Sequence, residues 1–226
     1  MEKFWNLVKL SLLFSICALP SAALFAIGFF GLLGLPEILA LALSLAAAFP
    51  VGGALCACMF CVTKMIRSDP GYLWHDFKRK FSENMKQATA PGILCAAFVY
   101  SQLYLWLVLA QSGADIGWLL AGLLSLLIFL MVAPYFFLQV AYIELKTSRI
   151  LRNSILLAFG NAGRSFLGAL SGGAIWLAYA LFLPDSLLLA PLAPACGFAL
   201  SMLLCLIWIW PPFDRQFGVE EALKKL

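Results

Sequence analysis

The chain has 226 residues, 64% of them hydrophobic and 12% charged, with a formal net charge of +4 and a mean hydropathy of +0.98. Soluble domains carry about a quarter of their residues as charges, so a surface this poor in charge excludes a water-soluble globular protein. The small positive balance suits membrane orientation and anionic lipid rather than nucleic acid.

Backbone groups in lipid must pair within their own segment, so long apolar runs predict helices. The expected fold is all-α: one polytopic membrane domain over 1–226 with six spans, near 4–34, 38–66, 91–111, 116–143, 165–183 and 187–210. Lys3 and Lys9 precede the first, and "ALPSAA" has the look of a cleavage region. Apolar residues continue to Leu35, however, long enough for an uncleaved span. Gly28, Gly31 and Gly34 recur every third residue there and suit close helix contact. Pro20, Pro50 (followed by Gly52-Gly53) and Pro134 are expected to kink their spans. Span two also holds "CACMFC", Cys56 to Cys61. With no His nearby and Cys56 off the face shared by Cys58 and Cys61, it reads as small-residue packing rather than a metal site. All seven cysteines fall in apolar segments, which gives no disulfide framework.

Between spans two and three lies "DPGYLWHDFKRKFSENMKQA". Ser68-Asp69-Pro70-Gly71 is turn chemistry. From there Leu73, Phe77, Phe81, Met85 and Ala88 recur at helical spacing, joined by Trp74 and Asn84 on neighbouring positions, while His75, Asp76, Lys78, Arg79, Ser82, Glu83, Lys86 and Gln87 fill much of the other face. This pattern predicts a cationic amphipathic helix over 72–88, lying in the membrane interface or docked on a partner. Tyr72, Trp74, Phe77, Phe81 and Asn84 form its candidate docking surface. Further on, Gln102 in span three and Tyr135 and Gln139 in span four form a candidate polar cavity for a neutral solute. The competing reading is that these groups hydrogen-bond between helices. The second inner loop, "ELKTSRILRNSILLAFGNAGRS", repeats the amphipathic device more weakly through Ile150, Ile155, Leu156 and Phe159. "GNAGRSFLGALSGG" then leads small residues into span five.

Every Lys and Arg falls at the N-terminus, in the two inner loops or after span six, whereas the opposite side carries Glu37, Asp115 and Asp185. Both termini are therefore expected inside, with short outer loops. No span has an ionisable group near its centre, which argues against a proton-driven pump. Phosphate-loop, zinc-protease and serine-hydrolase motifs are lacking, and the lone His75 beside Asp76 sits on an interfacial helix. No catalytic residue, metal or cofactor is expected.

The same loop carries a resemblance. Gly71, Tyr72, Trp74, Asp76, Phe77, Phe81, Asn84 and Ala88, with "FPVGGAL" before them, resemble the signature of the YesL-like family, bacterial membrane proteins of unknown function. The wide spacing of Pro20 and Pro50 departs from that family's first hairpin. Such proteins are commonly encoded beside carbohydrate ABC importers. The resemblance therefore implies a non-enzymatic accessory role in sugar uptake at the bacterial plasma membrane, with importer membrane subunits or a second copy as partner in the bilayer. The alternative is an independent transporter or channel for a neutral polar solute.

Overall fold

A computed structural model of the chain describes residues 2–30, 36–69, 71–112, 116–143, 145–182, 193–219 and 221. Of these, 93% are helical and none lies in a strand, so the all-α expectation holds. The α-helices are α1 (Glu2–Phe29), α2 (Glu37–Ala47), α3 (Phe49–Ile66), α4 (Leu73–Ser112), α5 (Ile116–Tyr142), α6 (Thr147–Gly160), α7 (Ala162–Phe182) and α8 (Phe198–Phe217). A π-helical turn, Ala193–Gly197, leads into α8. Five helical segments are long and apolar enough to cross a membrane: Lys3–Gly28, Phe49–Ile66, Leu73–Leu109, Ile116–Tyr142 and Ala195–Phe217. The expected fifth span is helical as α7 and is not among these five. Gly31, Gly34, Pro70, Asp115, Glu144 and Asp185 lie outside the described residues.

Two boundaries differ from the sequence reading, each for a local reason. The run 38–66 is two helices, because Pro50 has no N–H to donate and its ring crowds the carbonyl four residues back. The chain breaks at Ala48, and Pro50 takes a place in the first turn of α3, where a missing N–H costs nothing. Conversely, the amphipathic segment 72–88 and the third span are one 40-residue helix, α4, about 60 Å long at 1.5 Å per residue. Pro91 lies inside it without ending it. Likewise α8 runs through Pro211 and Pro212 to Phe217, where the sequence reading stopped the sixth span at 210. Trp210, Phe213 and Phe217 pack ring on ring there, at 5.7 and 5.0 Å, and offset the lost hydrogen bonds.

Antiparallel pairs make up the bundle. Gly28 meets Ala40 where α2 folds back along α1, and Ser21 Oγ donates to the Ser44 carbonyl at 2.7 Å. In the α7–α8 pair, Gly172 and Gly168 lie against the backbone of Ser201 and Cys205, and Ser201 Oγ donates to the Gly172 carbonyl at 2.7 Å. The tightest crossing is α3 on α4. A Cβ on Gly52 would collide with the Ala88 carbonyl, and one on Gly92 with the Gly52 backbone. Phe77, Ala88, Gly92, Ala96 and Tyr100 form one buried stripe along α4, with Phe81 and Met85 partly covered between them. The apolar side of the amphipathic segment and the inner side of the span are thus a single seam.

The outward side of α4 changes character near Ala90. Below it, His75, Lys78, Arg79, Ser82, Glu83 and Lys86 are exposed; above it, Leu94, Val99, Leu103, Tyr104, Leu107 and Val108 are exposed. One helix therefore presents a polar flank and then an apolar one of about 22 Å, most of a bilayer's hydrocarbon depth.

The crossing predicts a sharp contrast among glycines. Gly52→Val has backbone on the far side and no room to relax, so thermal or denaturant unfolding in detergent should show a loss of about 3 kcal/mol. Gly163→Ala, with nothing within 4 Å of the added carbon, should be neutral or gain up to about 1 kcal/mol.

Candidate functional site

Gly71, Tyr72, Trp74, Asp76 and Phe77 lie at the turn between α3 and α4 and in the opening of α4, and the turn is built from its backbone outward. Ser68 adopts the left-handed conformation (φ 58°) that closes many helix C-termini. The Ser68 N–H donates to the Met65 carbonyl at 3.2 Å and the Asp69 N–H to that of Lys64 at 3.1 Å, which satisfies two carbonyls the end of α3 would leave bare. The reversal brings Lys64 over the first turn of α4. Its Nζ donates to Asp76 Oδ2 at 2.6 Å, while Arg79 Nη2 approaches Asp76 Oδ1 at 3.6 Å. Asp76 is buried, with Lys64 and Arg79 engaging its two oxygens. A side chain on Gly71 would strike this pair, Asp76 Oδ2 lying 2.6 Å from the position of its Cβ. Glycine at 71 thus makes room for the ion pair.

A second charge is held more deeply. The Arg67 side chain is 9% exposed, and its Nη2 lies 2.6 Å from Asp69 Oδ2. Its guanidinium sits 5.4 Å from the Trp210 ring centre and 5.9 Å from that of Tyr142. Tyr142 Oη in turn shares a hydrogen bond with Thr63 Oγ1. Arg67 thereby ties α3 to the last turn of α5 and to the lower part of α8. Lys3 Nζ donates to Ser68 Oγ at 3.0 Å, which brings the start of α1 to the same end. Further along α4, Gln87 Nε2 donates to the Leu145 carbonyl at 2.5 Å and holds the α5–α6 connection against that helix. A recess of about 70 Å³ between Asn6, Lys64, Asp69 and Asp76 has room for a few water molecules.

The candidate docking surface divides. Tyr72 and Trp74 are 87% and 63% exposed. Phe77 is buried at 6%, Phe81 lies over Gly53, and Asn84 donates to the Lys80 carbonyl at 2.9 Å. Phe77 and Phe81 are therefore not a free face: α3 already occupies it. The candidate polar cavity divides as well. Gln139 and Tyr135 are fully buried one turn apart on α5. Gln139 Nε2 donates to Ser154 Oγ at 2.8 Å, and Tyr135 Oη is hydrogen-bonded to Ser165 Oγ at 3.3 Å. Gln102 instead donates to Ser125 Oγ at 2.9 Å. Ser125 lies 10 positions from Tyr135 and 14 from Gln139 on α5, so Gln102 sits about 15 Å and about 21 Å from them along that helix. These groups join α5 to α4, α6 and α7, as the competing reading expected. Cys56, Cys58 and Cys61 are buried free thiols, with Cys58 Sγ 3.8 Å from the Leu10 carbonyl.

Sequence reasoning missed the ion-pair clasp. Its signal is the run of opposite charges at 64, 67, 69 and 76 around the turn, where the sequence reading uses Lys64 and Arg67 for orientation, Asp69 for the turn and Asp76 for the polar face. Compared with known proteins, the chain matches no protein-family model, no curated protein and no solved structure.

A double-mutant cycle tests the clasp. Asp76→Ala should cost about 2–3 kcal/mol in unfolding free energy by stranding Lys64, and adding Lys64→Ala should recover part of that loss. Purely additive losses would show that the pair is not coupled.

Proposed function

We propose that the protein is a non-enzymatic accessory subunit of the bacterial plasma membrane that associates with the membrane subunits of a carbohydrate ABC importer. In this reading it has six spans, with α7 as the fifth, and both termini and the α3–α4 turn face the cytoplasm. The resemblance of the 71–88 stretch to the YesL-like family supports it. So does the gathering of Lys3, Lys64, Arg67, Arg79 and the end of α8 at one end of the bundle, as the positive-inside rule requires.

The observation that carries the reading is the division of the signature residues. Asp76, Phe77 and Ala88 are consumed in building the hairpin, whereas Tyr72 and Trp74 project from it. Exposed Tyr and Trp are the residue types that anchor protein contacts. A solute path is the weaker reading, since Gln102 lies far from the buried Tyr135 and Gln139.

Co-purification from the native membrane tests the proposal. Tyr72→Ala/Trp74→Ala should lose importer subunits at least tenfold while keeping its own melting temperature within a few degrees. Phe77→Ala should instead lower that temperature, in line with about 3–5 kcal/mol for emptying a buried aromatic site. Retention of the importer by the double variant, or neutral-solute flux from the protein alone in liposomes, would sink the reading.

A further inference from the structure

The helix expected to carry the interfacial role has its apolar side against α3, whereas α6 has an apolar side that no described residue covers. Ile150, Ser154, Leu157 and Ala158 of α6 are buried against the bundle. Leu151, Ile155 and Phe159, spaced four apart, form an adjoining stripe on the same helix and are exposed at 49%, 42% and 54%. Arg149 and Arg152 are exposed alongside and make no ion pair with a described residue. The depth of α6 follows from two hydrogen bonds. Ser154, in its middle, meets Gln139, one turn from the end of α5, and Ser165, just beyond its end, meets Tyr135, one turn further in. Across the break at Asn161 the exposed apolar surface continues as Phe166, Leu167 and Leu170 of α7.

We infer that α6 lies in the inner-leaflet interface, with Leu151, Ile155 and Phe159 in the acyl region and Arg149 and Arg152 on anionic phospholipid headgroups. A helix tethered at both ends to apolar bundle helices, with one side packed on the protein, one apolar and one cationic, fits a lipid surface. The guanidiniums give that surface a sign, because the stems of Arg149 and Arg152 reach out to phosphates beside the stripe. Which leaflet this is rests on the proposed orientation, but the placement does not depend on the importer reading.

A photoreactive benzophenone side chain placed at Ile155 or Phe159 in the full chain, reconstituted in nanodiscs of phosphatidylcholine and phosphatidylglycerol, tests the depth. Irradiation should add the mass of one phospholipid at either site and none with the probe at Ser82 on the polar flank of α4. Cross-links to a second copy of the chain, or no adduct at 155 and 159, would overturn the placement. The headgroup contact has its own readout. Each basic residue beside an anionic surface contributes about a fivefold factor, so Arg149→Gln/Arg152→Gln should weaken phosphatidylglycerol retention in native mass spectrometry about thirtyfold. Unchanged retention would overturn the anionic preference while leaving the cross-linking result to stand or fall alone.

Discussion

The bundle depends on one contact: the backbones of α3 and α4 touch where Gly52 meets Ala88 and Gly92. Lipid gives apolar side chains no incentive to leave it, so helices in a membrane associate through close packing and hydrogen bonds. A crossing with no side chain between the helices brings their surfaces into van der Waals contact on both sides of it. Met85 and Phe81 then settle over Gly53, and the stripe from Phe77 to Tyr100 follows α3 and reaches α1 through the Tyr100–Ser21 hydrogen bond.

The polar end is a consequence of that crossing. With α3 and α4 locked at Gly52 and Gly92, the turn at 67–72 returns the chain so that Lys64 falls over Asp76. Arg67 is forced inward onto Tyr142 and Trp210, where aromatic faces and Asp69 compensate a charge that burial would otherwise penalise. Four helices and the N-terminus meet at this end. The signature-like residues serve as its framework: Gly71 leaves room, Asp76 pairs, Phe77 packs and Ala88 admits the neighbouring backbone.

Several features were readable from residue order because their causes are local or compositional. Proline and glycine marked the break before α3, though as a kink rather than a separation into two helices. Small residues in α7 such as Gly168 and Gly172 announced close helix contact, though not that α8 would supply it, and Gln139 announced a hydrogen bond between helices. The apolar face of 73–88 was readable too, but its occupant was not. A period of 3.6 tells which side of a helix avoids water and is silent on whether lipid, a partner or the next helix covers it. Phe77 and Phe81 looked like a docking face for that reason, and the distinction between Leu151 and Ile150 on α6 was equally hidden.

The sequence by itself determined the solvent and the secondary structure. Charges at 12% cannot wet a 226-residue surface, and uninterrupted apolar runs must satisfy their backbones as helices. Which faces are spent inside the protein was decided only by tertiary structure. The Gly52–Gly92 crossing buries one side of α4 and leaves Tyr72 and Trp74 outside it, while the packing of α5 on α4 and α6 separates Gln102 from Gln139 and leaves the outer stripe of α6 exposed. Those outcomes depend on contacts between residues far apart in the chain, and no local pattern encodes which two surfaces will meet.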